Sequence, residues 1–586
     1  MVYKIADNIT SPLGLSTNEN FHALKNGNSR ICCCSDKTIS PEDFVSSRFS
    51  EEQWSEILID GYSRFESLAI CSITKALAQT NVNLGSTKTI LILSTTKANI
   101  ELINTEPEKT GPAYAAKRIA EYFCINSKPV VACNACISGI SALVLAKRLL
   151  QSDIYDTAIV CGADTLNSFT VSGFQSLKAL SHTSCKPFDI ERLGLNLGEA
   201  SATLILRKEK EEETKENEEA TWFLESEAIS NDGFHITNPS PKGLGCAKAM
   251  QNTIKDLPLE ELAVVNAHGT ATMFNDQMES RAIESAGLQL VPVNALKGYY
   301  GHTLGAAGII ETIITMKSLD NHIVLGTRGF EELGVSGRIN ISKENNQTDK
   351  FSFLKIISGF GGCNGALLCT KGKRNRLEND NLKEDLIITH TVKISPYRVM
   401  VDNQELYFEG KGMDILTYLY KNYIGNYSKF YKMDILCRLG FVASELLLQS
   451  ETGCKMNEGR IPEIKNCKKR FVECDNRAII LFNSSSSICA DKEYNKTIRN
   501  KQDYFPSPSV FVYTLPNIVT GEIAIRNLYH GETSFYIMPE NDETLQQNIV
   551  RASLTTENTE SCICGWINAN SESDFETDLY IIEKSK

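Results

Sequence analysis

Nowhere in these 586 residues does an apolar run approach the ~20 that a membrane-spanning helix needs. Met1 to Leu13 has neither the charged start nor the apolar stretch of a secretory signal. Both absences point to a cytoplasmic protein. Basic charge is also in short supply: 60 Lys and Arg stand against 72 Asp and Glu, a net charge of −12. Tracking phosphates requires a basic face, so nucleic acid is not the expected partner. The 19 cysteines lie at irregular spacing with no paired Cys-x-x-Cys set for zinc. In a long chain without secretory signals they read as reduced thiols, not as a disulfide framework. No glycine-rich phosphate loop, metal cluster or redox-cofactor motif is present either.

What is there is an ordinary globular composition, 42% hydrophobic, long enough for one large domain and a smaller second one. Apolar runs at Thr89 to Leu93, Thr157 to Cys161, Ala202 to Leu206, Ala263 to Val265 and Phe353 to Ile357 alternate with helical patterns. Strands of that kind belong to an α/β fold whose sheet is covered by helices on both faces. Two charged stretches interrupt them. Lys208 to Glu219 reads as a solvated loop, and residues 373–385 read as a linker between a domain at 1–372 and another at 386–586.

Features of the second domain follow the order of the first. Phe65 to Leu77 finds a counterpart in Phe430 to Leu448, Thr89-Ile-Leu-Ile-Leu-Ser in Ala478-Ile-Ile-Leu-Phe-Asn, and Ile159-Val-Cys-Gly in Cys562-Ile-Cys-Gly. The segment beyond 386 therefore reads as a degenerate repeat of the first half of the large domain.

Three motifs carry chemistry. Val131-Ala-Cys-Asn-Ala-Cys136-Ile-Ser-Gly passes through a small-residue turn into the apolar helix Ile140 to Gln151, which sets Cys136 at a helix N-terminus. A helix terminus favours the thiolate. Asn266-Ala-His268-Gly-Thr270-Ala-Thr272 follows directly on a strand, and Lys297-Gly-Tyr-Tyr-Gly-His302 precedes a small-residue helix start containing Glu311. A lone buried Cys is usually a core residue. Joined to two histidines in glycine-rich turns, out of only 8 in the chain, it reads as a nucleophile.

This set resembles the Cys-His-His constellation of chain-elongating β-ketoacyl-acyl-carrier-protein synthases. Matching pieces include Lys186-Pro-Phe-Asp189, Gly233-Phe-His235-Ile-Thr-Asn-Pro and Gly359-Phe360-Gly-Gly-Cys-Asn364. The resemblance covers residues 1 to about 372. It implies a thiolase-like layered fold of two pseudo-symmetric α/β halves and a decarboxylative condensation with malonyl-carrier protein. Cys136 would be the nucleophile and His268 and His302 the donors to the enolate, with Lys297, paired to Glu311, organising the second histidine. Thr270 and Thr272 belong to the supporting motif, and Phe360 matches the family's pocket gate. The partner implied is an acyl carrier protein, whose phosphopantetheine arm is the only cofactor required. Because carrier proteins are acidic, basic residues belong near the mouth. Arg64 and Lys128 are the candidates, followed by Lys147 and Arg148.

Departures from the family pattern are informative. Ile357-Ser358-Gly359 replaces a Phe-containing approach to the turn, Cys363 stands where Thr is common, and the segment between Thr95 and Ala115 is short. Around Ile537-Met-Pro-Glu-Asn-Asp-Glu, where a repeat of Cys136 is due, there is no Cys. The C-terminal segment is thus similar to the Cys-lacking chain-length-factor partners of aryl-polyene and type II polyketide synthases. A homodimer, or a heterodimer with another synthase-like subunit, is expected. The alternatives are a non-catalytic scaffold and a biosynthetic thiolase.

Overall fold

The structure, a computed structural model, describes residues 1–209, 220–372, 385–453, 474, 476–500, 504–555 and 559–585. Nearly all of the expected charged loop and the expected linker, at 210–219 and 373–384, lies outside these residues.

Strands β1 (Val2–Thr10), β2 (Thr89–Ser94), β3 (Val130–Ala132), β4 (Thr157–Asp164) and β5 (Ala200–Lys208) lie in the order β1-β5-β4-β2-β3. The first two pairings are antiparallel and the last two parallel. Every residue of β2, β3 and β4 is buried, as strands covered on both faces require. Around them stand α1 (Arg64–Leu77), α2 (Pro112–Tyr122), α3 (Ser138–Gln151) and α4 (Ser168–Ser176). All of α3 except its last residue is buried, which is why its sequence is apolar almost all round.

The same pattern occurs twice more. Strands β6 (Trp222–Asn231), β7 (Leu262–Asn266), β8 (Pro292–Asn294), β9 (Ser352–Gly359) and β10 (Cys363–Lys371) run β6-β10-β9-β7-β8. Helices α5 (Met273–Ser285) and α6 (Ala307–Asp320) belong to this module. Strands β11 (Leu386–Ser395), β12 (Arg477–Asn483), β13 (Thr533–Ile537), β14 (Ser561–Ser571) and β15 (Asp574–Lys584) run β11-β15-β14-β12-β13. With them come α7 (Ile435–Glu451), α8 (Ile518–Asn527) and α9 (Glu543–Leu554). Two modules make a thiolase-like fold and the third is half of another. The expected counterpart helix at Phe430 to Leu448 is interrupted: a 3-10 turn over Ser428–Lys432 precedes α7, whose N-cap Asp434 accepts from the Leu436 and Cys437 N–H groups.

The first and third modules meet edge to edge. Strands β3 and β13 pair antiparallel, Val131 opposite Ile537 and Ala132 opposite Tyr536, so one sheet runs through both. That edge of β3 is thereby closed to a second copy of the chain. Buried ions reinforce the seam. Lys97 Nζ lies 2.6 Å from Asp491, and Arg148 reaches Glu532 at 2.7 Å and Ser553 Oγ at 3.0 Å. At the rim Lys128 bridges Glu540 and Asp542, at 2.5 and 2.8 Å. Three of the expected carrier contacts are therefore engaged elsewhere: Lys128 ties the modules together, while Lys147 and Arg148 are buried around Glu227. Their charges read as solvent-facing in a linear sequence because the partner carboxylates lie 79 or more residues away. Among the described residues, no helix is long and apolar enough to cross a membrane.

Candidate active site

Cys136 is presented by a strained elbow. Ala135, just before it, has φ +49°, a left-handed conformation costing about 1–2 kcal/mol for a residue with a Cβ. Neighbours hold it there. Asn134 N–H donates to Ser138 Oγ at 2.8 Å, and from the third module Phe535 N–H donates to Asn134 Oδ1 at 2.7 Å. Cys133 N–H donates in turn to the Phe535 carbonyl at 3.1 Å. The 3-10 turn Ala135–Ile137 then leads into α3, so Cys136 does sit at a helix entrance. The expected thiolate does not follow. Burial pushes the Cys136 thiol up to about 12, outweighing the pull of the Lys297 charge, so the resting side chain is a protonated thiol.

His268 hangs from the end of β7 in a rigid cradle. Its N–H donates to Glu279 Oε1 at 2.5 Å, the next N–H, of Gly269, to Glu279 Oε2 at 2.8 Å, and its carbonyl accepts from Lys297 Nζ at 2.6 Å. His302 Nδ1 accepts from the Leu304 N–H at 3.2 Å, which places the ring proton on Nε2, an atom with no partner among the described residues. The two rings stand edge to face with centroids 5.2 Å apart. Cys136 Sγ and one nitrogen of each ring all lie within 4.8 Å of one another. Burial, reinforced by the charges of Lys297 and Lys355, holds both imidazoles well below their usual range. They are neutral donors.

Behind them lies a charge cluster that sequence reasoning only half captured. Lys297 reaches Glu311 at 2.7 Å, as expected, but a second buried ammonium, Lys355 on β9, reaches the same carboxylate at 2.6 Å. Burial alone would raise the Glu311 carboxyl; the two ammoniums hold it below its ordinary value. Lys355 also donates to the Asn266 and Ala267 carbonyls at 3.3 and 3.2 Å, bracing the strand end that presents His268. Its signal was available: a single charge inside the apolar run Phe353-Leu-Lys-Ile-Ile.

Cys136 divides two cavities. An outer one of about 210 Å³ is lined by His268, His302, Thr270, Thr272 and Phe360 among others, the two threonine hydroxyls standing 2.9 Å apart. The inner one, about 20 Å³, holds little more than a water. Between them the Phe360 ring stacks on Phe174, with centroids 6.4 Å apart, and Phe174 packs edge-on against Phe511 of the third module. Gly173 admits this approach, since a Cβ there would stand 2.0 Å from the Phe511 ring. Phe511, Leu515 and Lys97 line the inner cavity. Nothing in the linear order of residues marks Phe511 or Leu515 as site residues, because they reach Cys136 only across the module seam. Arg64, the remaining expected carrier contact, is exposed with its guanidinium 5.1 Å from the Trp54 ring centre.

Comparison with known proteins accords with this geometry. Residues 68–212 match the model of the β-ketoacyl synthase N-terminal domain, and residues 223–331 that of its C-terminal domain. The 3-oxoacyl-(acyl-carrier-protein) synthase 2 of Vibrio cholerae is 30% identical over 296 residues, covering 46% of this chain and 70% of the relative. Its namesake in Coxiella burnetii is 27% identical over 293 residues, with the same coverage. In fold, the chain resembles the ketosynthase ApeO, solved with its chain length factor ApeC, from Xenorhabdus doucetiae: TM-score 0.54, 24% identity, 63% of this chain and 98% of that one. The PfaC keto synthase–chain length factor structure matches over 100% of this chain and 78% of its own, with TM-score 0.74 and 12% identity.

Proposed function

This chain belongs to the β-ketoacyl synthase family of acyl-transferring condensing enzymes, and we propose that Cys136 is the nucleophile with which it lengthens a carrier-bound acyl chain by two carbons. The observation that carries this reading is the meeting of a buried thiol with two neutral imidazoles around one cavity. A thiol held up by burial does not ionise beforehand, so its proton leaves only as sulfur attacks the acyl thioester. The Cys136 and Phe360 N–H groups receive the oxyanion, and the carrier thiol leaves with the proton. Malonyl-carrier protein then enters and loses carbon dioxide. Its enolate oxygen lies against the His268 and His302 N–H groups, whose neutrality lets them donate without being consumed as acids. The enolate carbon attacks the acyl-Cys136 carbonyl, and sulfur departs as a thiolate that takes a proton from solvent, since its first proton left with the carrier thiol. Lys297 and Lys355 act through the histidines, keeping them neutral and in place.

The third module lacks a counterpart of Cys136 and serves as the far wall of the acyl site, in the manner of a chain-length partner fused in one-to-one ratio. An acyl chain passing Cys136 inward meets Phe174 and Phe511. The pantetheine arm of an acyl carrier protein enters through the outer cavity, past Thr270 and Thr272.

The test is product identity. With acyl- and malonyl-carrier proteins, the wild type should release carbon dioxide and form a carrier-bound 3-oxoacyl chain two carbons longer. Phe511→Ala should allow at least one further round of extension, at a stability cost of about 3–5 kcal/mol that Phe511→Leu reduces. Acetyl joining without carbon dioxide release would favour a thiolase, and no turnover by folded protein would favour a scaffold. An unchanged product length in both Phe511 variants would remove the wall assigned to the third module.

A further inference from the structure

The turn Gly359-Phe360-Gly361-Gly362 joins β9 to β10, and its last two glycines lie at φ +89° and +74°, where a side chain would be strained. Its own synthase half fixes those two residues. Gly361 N–H donates to the Ile236 carbonyl at 2.7 Å, Asn231 Nδ2 to the Gly361 carbonyl at 2.8 Å, and Asp232 N–H to the Gly362 carbonyl at 2.8 Å.

The Phe360 carbonyl is held differently. Besides the Cys363 thiol at 3.2 Å, it accepts from Asn517 Nδ2 at 2.8 Å, and Asn517 is the N-cap of α8 in the third module. The contact is close-fitting. A Cβ on Gly521 would lie 2.7 Å from the Gly361 carbonyl oxygen, and one on Gly361 would lie 2.8 Å from Asn517 Nδ2. Asn517 is 1% exposed, and its Oδ1 has no hydrogen-bond partner among the described residues. A buried, unsatisfied amide oxygen costs about 1–3 kcal/mol, which an apolar residue at 517 would avoid. The amide is thus retained for its donor end, which meets the Phe360 carbonyl.

We propose that Asn517 is a positioning residue by which the third module holds the Phe360 gate shut during condensation. The bond fixes the peptide after Phe360, and with it the ring on Phe174; through the same residue it steadies the Phe360 N–H assigned above to the oxyanion. This rests on the condensing-enzyme reading above. A gate lacking the bond opens more readily. Acyl entry is then unimpeded, but the oxyanion donor drifts and water reaches the thioester. Hydrolysis follows, in which water adds across the acyl–sulfur bond to give free acid and the Cys136 thiol.

Asn517→Asp keeps the shape and removes the N–H donor; Asn517→Ala removes it without charge, and decides the matter should the Asp variant fail to fold. Acyl-Cys136 formation, condensation with malonyl-carrier protein, and free-acid release are followed in time by intact mass and chromatography. Expected are acylation no slower than in the wild type, condensation slowed about tenfold, and free acid raised several-fold. Equal slowing of all three steps, or no change in any, would overturn the proposal. Wild-type protein that takes no acyl group on Cys136 would instead contradict the underlying condensing-enzyme reading.

Discussion

A His268→Ala chain should still accept an acyl group on Cys136, yet transfer it to malonyl-carrier protein about 10²–10³ times more slowly. The asymmetry follows from geometry. Acyl transfer to Cys136 needs the elbow and the oxyanion donors, whereas decarboxylation generates an enolate whose charge must be met by imidazole N–H groups. Removing the ring leaves His302 alone to meet it. The fold should survive, because His268 is anchored by its backbone to Glu279 and Lys297, contacts that alanine preserves. Rapid-quench measurement of the two half-reactions separates them. A loss shared equally by acylation and condensation would assign His268 to the first step instead.

Arg148→Met should lower the unfolding free energy by about 3–5 kcal/mol. Arg148 and Glu532 are both nearly inaccessible to solvent, and the guanidinium also bonds Ser553 Oγ and reaches Glu227. Methionine fills the space and leaves the Glu532 carboxylate buried across the seam with Ser534 as its remaining partner among these contacts. The cost is that of an uncompensated charge, so the double variant Arg148→Met, Glu532→Leu should recover most of it. Urea denaturation followed by tryptophan fluorescence reports on both sides of the seam, through Trp222 and Trp566. A single variant within 1 kcal/mol of the wild type, or a double variant as weak as the single, would show that this ion pair does not hold the modules together.

Much of the molecule was legible in its sequence, and the reason is local. The buried strands announced themselves as apolar runs, and Cys136, His268 and His302 each sit in a short motif whose glycines and small residues are dictated by the turn that displays the side chain. The degenerate repeat was legible for the same reason, since β12 and β14 keep the apolar patterning of β2 and β4. What escaped detection depends on long-range pairing. Lys128, Lys147 and Arg148 look like surface charges until Glu540, Glu227 and Glu532 are brought to them. Phe511, Asn517 and Phe535 look like packing residues of a separate domain, yet each touches the residues around Cys136 across the β3–β13 seam. The thiol is also less acidic than a helix terminus alone implies, because burial depends on everything packed around it.

The most direct test of the central claim, that one thiol serves a site completed by the third module, is the intact mass of the full chain after exposure to acyl-carrier proteins of several chain lengths. The account predicts one acyl group per 65.0 kDa chain, mapped to Cys136 and absent from Cys136→Ala. Acyl groups that persist in the Cys136→Ala chain, or a folded wild-type protein that takes up none, would contradict it.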